Sequence, residues 1–272
     1  MHEPAHPPTW RNRRTILRLL LVGAVGGLLS GMFGVGGGIL MVPLLVTLIG
    51  MDHRRAAATS LVAIVPTAAA GMITYAVRGE VDVPVGLVVA AGAIGGSIIG
   101  TTLLRRITLP LLRWLFLGLL LAVAVRMFLV VPERGADVEL SPGVVVGLLV
   151  LGLVMGIASG LFGIGGGVIA VPVLVALFGA GDLVAKGTSL LIMLPTAVTG
   201  SLRNARAGLM EVGSGLVVGA AATAASIGGA AMAPLLSPRL SSLLFVALVL
   251  LSAGQIVVRA LQERREGRGG SA

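Results

Sequence analysis

The sequence predicts an all-α polytopic membrane protein of two homologous halves, read as inverted repeats, each a Gly-broken helical hairpin plus three transmembrane helices. Three observations carry that prediction. The 272 residues are 56% apolar and only 11% charged, whereas soluble domains carry about 25% charged residues; mean hydropathy is +1.05. Several apolar runs approach the roughly 20 residues that cross a bilayer. The chain also repeats itself: SGMFGVGGGILMVPLL from Ser30 returns as SGLFGIGGGVIAVPVL from Ser159, an offset of 159 − 30 = 129 positions.

The offset holds without a gap. Thr59, Ser60 and Leu61 match Thr188, Ser189 and Leu190; Pro66, Thr67 and Ala68 match Pro195, Thr196 and Ala197; Ser97 and Gly100 match Ser226 and Gly229. Self-similarity at a fixed period marks repeated structural units. It sets a first repeat at 16–131, a second at 143–261, a linker at 132–142, and tails at 1–15 and 262–272.

Each element follows in order. Residues 16–30 are an apolar arm behind Arg11, Arg13 and Arg14. They imitate a signal peptide, but no A-x-A-like cleavage site follows, so the arm is read as part of the mature protein. The glycines after Phe33 break the helix, and 39–50 form a second arm. Spans are expected at 56–77, 83–104 and 109–131. The linker carries Glu133, Arg134, Asp137 and Glu139 and is expected in solvent. The second half repeats the pattern with arms at 144–159 and 168–179 and spans at 184–202, 212–236 and 240–261. Helices are required because unpaired backbone is too costly in lipid, and the short alternating strands of a barrel are missing from the sequence.

Residues 16–50 are too long for one straight span and short for two. They are either one broken span or a hairpin that returns to its own side. Counting arginine and lysine favours the hairpin. With the N-terminus cytoplasmic, it divides the 20 basic residues about 15 to 5 across the membrane, against about 13 to 7 for the broken span. An odd number of crossings per half would then invert the second repeat, a recurrent transporter arrangement. Both termini would be cytoplasmic, the linker extracytoplasmic, and the total six full spans and two hairpins in the cell membrane.

The net charge of +9 sits between and beyond apolar segments. That is a topology signal and not a nucleic-acid footprint. There is no cysteine, and the histidines (His2, His6, His53) form no ligand pair, so neither a metal nor another cofactor is expected. Acids and histidines fall outside the expected spans, which leaves no aspartyl, Ser–His or HExxH device for an intramembrane enzyme. A Walker loop needs Lys-Ser/Thr after its glycines, and here Ile39 and Leu40 follow.

The candidate substrate pathway is the pair of breaks, Gly34, Gly36, Gly37 and Gly38 with Gly163, Gly165, Gly166 and Gly167. Glycine permits positive φ and close approach. The helices that restart here point free N–H groups and a positive dipole end into the membrane interior, where an anion fits. The pathway also takes in Thr59, Ser60, Pro66 and Thr67 and their repeats Thr188, Ser189, Pro195 and Thr196. A proline inside a span frees a carbonyl, and the neighbouring threonine hydroxyl can satisfy that backbone or face a ligand. Gly95, Gly96, Gly100, Gly228 and Gly229 are read as helix-packing glycines, and Lys186, Arg203 and Asn204 as span-end anchors. Leucine at Gly37 or Gly166 is expected to stop flux without preventing insertion.

The doubled S-G-x-F-G-x-G-G-G-x-x-x-V-P-x-L, each followed by Thr-Ser and Pro-Thr, resembles the sulfite exporter TauE/SafE family of membrane transporters across about residues 16–261. The resemblance implies a carrier of a small anion, sulfite or an organosulfonate, moved by alternating access around the two breaks. Its partners would be that anion and the lipid bilayer, with no nucleic acid and a homo-oligomer left open. The lack of cysteine excludes the thiol relay of related thiosulfate carriers. The competing expectation is a non-transporting membrane subunit or scaffold that supports a partner complex.

Overall fold

The computed structural model describes residues 12–129 and 140–269. His2, His6 and the linker acids lie outside the described residues, as does the side chain of Arg126. All regular structure among the described residues is helical.

Helix α1 (Arg13–Phe33) starts on Asn12, whose side chain accepts from the Arg14 amide, and ends at left-handed Gly34, whose N–H donates to the Ser30 carbonyl. The chain restarts as α2 (Gly38–Leu44), which runs into a π-helical turn, Leu45–Ile49. Asp52 caps α3 (His53–Ala76) by accepting from the amides of Arg54 and Arg55. Then come α4 (Val83–Arg106), capped by Asp82, and α5 (Leu109–Leu129). The second half mirrors the first: α6 (Pro142–Phe162), α7 (Gly167–Phe178), α8 (Asp182–Arg206), α9 (Val212–Met232) with a 3-10 turn, and α10 (Pro238–Gly269). Prolines 66 and 195 lie within α3 and α8 without ending them.

Among the described residues, seven helices are long and apolar enough to cross a membrane: α1, α3, α4, α6, α8, α9 with its 3-10 turn, and Pro238–Gln255 of α10. The arms expected at 16–30 and 144–159 are longer than the sequence suggested. Ser30-Gly31 and Ser159-Gly160 continue the helix, which stops only at left-handed Gly34 and Gly163. At 21 residues each, α1 and α6 extend about 31 Å. Residues 262–269 are helical and prolong α10.

Small residues set the packing. Gly23, Gly27 and Gly31 of α1 press on the backbone of Val218, Ala222 and Ser226 of α9. Gly152, Gly156 and Gly160 of α6 press on Val89, Ala93 and Ser97 of α4. Glycine at every fourth position lets helix backbones approach without a side chain between them. Each repeat's first helix is thus clamped to the other repeat's fourth, at positions related by 129.

The same contacts give direction. Rising numbers on α1 meet rising numbers on α9, so the two are parallel, as are α6 and α4. Helix α3 also runs parallel to α9: Glu211 N–H donates to Thr59 Oγ1, Gly219 packs on Ala63, and Ser226 Oγ donates to the Thr67 carbonyl. Helices α1 and α3 therefore point the same way, and the segment between them returns. Arg18 near the start of α1 donates to the Leu48 carbonyl, while Gly26 packs on Met41. Helix α8 is parallel to α4 through Asp82–Thr188 and Thr101–Arg203, so α7 returns in the same sense. The equivalent helices α3 and α8 are antiparallel, with Leu61 against Gly200 and Leu190 against Gly71. Outward faces carry bare apolar side chains such as Leu17, Leu87, Val146 and Leu216. Gly96, Gly100 and Gly229 pack on helix backbones as expected, whereas Gly95 and Gly228 meet nothing within 4 Å and pack against no helix.

Candidate functional site

The two glycine breaks meet. Gly38 lies against the Gly163 carbonyl and Ile164, and Gly167 against the Gly34 carbonyl and Val35. Met193 fills the space between them, its Cε against Gly36 and Gly165 and its Sδ near Gly167. Met193 and its repeat-mate Ile64 sit halfway along α8 and α3, so the junction lies at the middle of both helices. All residues from Phe33 to Val42 and from Gly160 to Pro172 are buried.

Gly34, Gly36, Gly37, Gly163, Gly165 and Gly166 hold φ between 68° and 89°, a region costly for any residue with a Cβ. Gly38 and Gly167 need glycine for closeness, since the opposite break occupies the Cβ position. At Gly37 a Cβ would meet the Gly26 carbonyl at 2.5 Å and Met41 Cε at 2.8 Å. Leucine there would thus disrupt the hairpin itself, so loss of flux in such a variant would not locate a pathway.

The strained backbone leaves donors over. After the Gly34 amide bonds Ser30, hydrogen bonding resumes at Leu40 and Met41, both donating to Gly37. In the second half the Gly163 amide bonds Ser159, and Ile169 and Ala170 donate to Gly166. Among the described residues, the amides of 35–39 and 164–168 find no protein acceptor. These ten amides belong to buried residues of the two breaks, at and just before the starts of α2 and α7, where the helix dipole is positive.

Of the hydroxyls singled out in the sequence, two touch the breaks. Ser60 Oγ donates to the Gly163 carbonyl at 2.7 Å, and Ser189 Oγ donates to the Gly34 carbonyl. Each serine reaches the other repeat's break, so the two bonds clasp the halves together. The remaining hydroxyls bond elsewhere. Thr59 and Thr188 Oγ1 accept from the amides of Glu211 and Asp82 at the starts of α9 and α4. Thr67 and Thr196 back-bond to Ala63 and Ile192 at 2.7 and 2.8 Å, not to the carbonyls of Val62 and Leu191 that the prolines strip of a donor. Pro66 is exposed and Pro195 half-buried.

Sequence reasoning missed three features. Lys186, expected as an anchor, is 2% exposed. Its Nζ donates to Asp182 Oδ2 at 2.7 Å and to Ser241 Oγ at 2.8 Å, and its backbone lies against Gly34. Asp182, expected in a loop, is buried in the first turn of α8. Asn204, another expected anchor, is fully buried with both amide atoms unpartnered, while Arg203 donates to Thr101 and Thr102 at 3.0 Å. Ser30 and Ser159 open the repeated motif, yet only the structure shows their hydroxyls buried. Among the described residues no group of three His, Asp or Glu converges as a metal site would need.

A family model described as "Sulfite exporter TauE/SafE" matches residues 2–127 and 148–272, in two stretches that follow the repeats. A Xylella fastidiosa (strain Temecula1) protein named "Probable membrane transporter protein" is 31% identical over 241 residues, covering 84% of this chain and 88% of its own. A protein of the same name from Xylella fastidiosa (strain 9a5c) is 32% identical over 208 residues, covering 72% and 78%. "Probable membrane transporter protein YdhB" of Bacillus subtilis is 27% identical over 188 residues, covering 68% and 76%. No solved structure matches the chain.

Proposed function

We propose, from the premise that this chain belongs to the sulfite exporter TauE/SafE family, that it carries a small oxoanion, sulfite or an organosulfonate, across the cell membrane. The family is one of multi-pass membrane transporters and not of enzymes. The observation that carries the reading is the set of buried amides at the meeting of the two breaks that find no protein acceptor. Buried donors without partners cost about 1–3 kcal/mol each, and an anion held at two positive helix ends offsets that cost. A pyramidal or tetrahedral oxoanion presents several acceptors at once, which suits converging N–H groups better than a halide.

The antiparallel α3 and α8, related by the 129-residue offset, support an inverted repeat with its pseudo-two-fold axis in the membrane plane. The returning α2 and α7 support re-entrant hairpins, both termini on one face and the linker on the other. Arginine counting makes the termini face cytoplasmic. Alternating access would move the parallel trio α1, α3 and α9 against the trio α4, α6 and α8. Along the seam α3 and α8 meet through side chains, Leu61 on Gly200 and Leu190 on Gly71, with backbone contact at the breaks, whereas α1–α9 and α4–α6 are locked by backbone contact. The pathway residues proposed are the glycines of both breaks with Ser60 and Ser189; Thr59, Thr67, Thr188, Thr196 and the prolines frame it.

The test is flux of labelled sulfite and sulfoacetate in proteoliposomes made with the purified protein. Saturable flux of either supports the reading, and no flux with any oxoanion under either gradient direction defeats it. The closeness of Gly38 to Gly163, with Met193 packed on Gly36, Gly165 and Gly167, favours one alternative, a sealed scaffold subunit, which that second outcome would select.

A further inference from the structure

Ser30 and Ser159 are fully buried, and neither Oγ has a hydrogen-bond partner. The hydroxyls of Ser201 and Ser242 are likewise buried without a partner, but neither residue has a serine counterpart at the 129-residue offset. The back-bonding hydroxyls of these helices behave differently. Thr67, Thr101, Thr196 and Ser252 all donate to the carbonyl four residues back, the usual outcome for a hydroxyl in an apolar helix. Ser30 and Ser159 have that carbonyl available, at Gly26 and Met155, and do not use it. An unused buried hydroxyl is a standing cost, and here it occurs twice, 129 residues apart.

Both serines stand at the lip of a break. The Ser30 carbonyl accepts from the Gly34 amide and the Ser159 carbonyl from Gly163, each at 2.8 Å. One turn earlier on the same helix faces, the Gly26 carbonyl lies against Gly37, and the Met155 carbonyl and Cε against Gly166. Each serine thus sits on the side of α1 or α6 turned toward its own returning helix, beside five amides without protein acceptors.

We infer that the Ser30 and Ser159 hydroxyls bind the transported oxoanion, each donating one hydrogen bond beside the amides of its own break. The protein then has two equivalent half-sites related by the repeat. This rests on the transport reading above and names side chains that would recognise the substrate.

The experiment compares the full-length wild type with Ser30→Ala, Ser159→Ala and the double variant in two measurements. These are sulfite flux in proteoliposomes and sulfite-induced thermal protection in detergent. The inference expects KM to rise about ten-fold per serine, the protection to shrink in step, and Tm without sulfite to stay level or rise, because an unpaired polar atom has been removed. Unchanged KM and protection in the double variant would overturn it while leaving transport intact. A Tm without sulfite that falls in step with activity would overturn it in favour of a structural role. Protection without flux in the wild type, lost in the double variant, would keep the serines as an anion site and overturn only transport.

Discussion

Neutralising the buried Lys186–Asp182 pair gives the clearest energetic test of the packing described. The side chains are 2% and 6% exposed and meet at 2.7 Å, so water screens the pair little. Lys186→Met removes the ammonium and strands the Asp182 carboxylate; Asp182→Asn strands the ammonium with Ser241 as its one partner. Breaking a buried pair from one side costs about 3–5 kcal/mol, because the remaining charge is uncompensated, whereas replacing both charges is often close to neutral. Each single variant should therefore lower Tm in detergent by on the order of 10 °C, and the double variant Asp182→Asn/Lys186→Met should recover most of it. Size-exclusion profiles and intrinsic fluorescence of Trp114 on heating read both stability and monodispersity. A double variant that loses as much as the two singles together would refute the reasoning, since it would show that the charges do not interact chiefly with each other.

Two further predictions follow from single contacts. Removing Ser60 Oγ or Ser189 Oγ leaves the Gly163 or Gly34 carbonyl short of a donor, so Ser60→Ala and Ser189→Ala should each cost about 1–3 kcal/mol. Thermal melts check this, and a silent double variant would deny the clasp. Glu80, in the turn between α3 and α4, has its carboxyl raised above the ordinary 4.5, first by burial, with Arg78 and Lys186 opposing. A raised folded pKa contributes stability that is complete below the unfolded value and lost as pH rises through the folded one. Glu80→Gln should therefore gain Tm over wild type as pH climbs from acid toward neutral. A difference independent of pH would contradict it.

Much of the architecture was legible because it depends on local pattern. Apolar length marks spans, an exact offset marks duplication, and consecutive glycines mark a broken helix. Burial was not legible, because it is decided by partners distant in sequence. Lys186 reads as an interfacial cation until Asp182 and Ser241, 55 residues away, are placed beside it. Gly95 and Gly96 are neighbours in one motif, yet a 100° turn of helix separates a glycine in open space from one wedged against Leu153. The serines of the breaks carried a signal, since Ser30 and Ser159 recur, but recurrence alone does not separate a hydroxyl that back-bonds from one that does not.

Where the two halves differ, the contact between them supplies the reason. Duplicated side chains at the junction share one space. Met193 reaches both breaks, and Ile64, its counterpart, lies 3.3 Å from where a Cβ on Gly165 would sit. Two methionines would compete for the volume that one already fills, so the duplicated positions cannot both be long. Ile64→Met should overpack the junction and cost about 1–3 kcal/mol. Adding Met193→Ile exchanges the two residues between the halves, keeps total volume, and should restore most of the lost stability. Melting curves of the single and exchanged variants decide the matter: a silent Ile64→Met would mean that the space around Met193 is not shared.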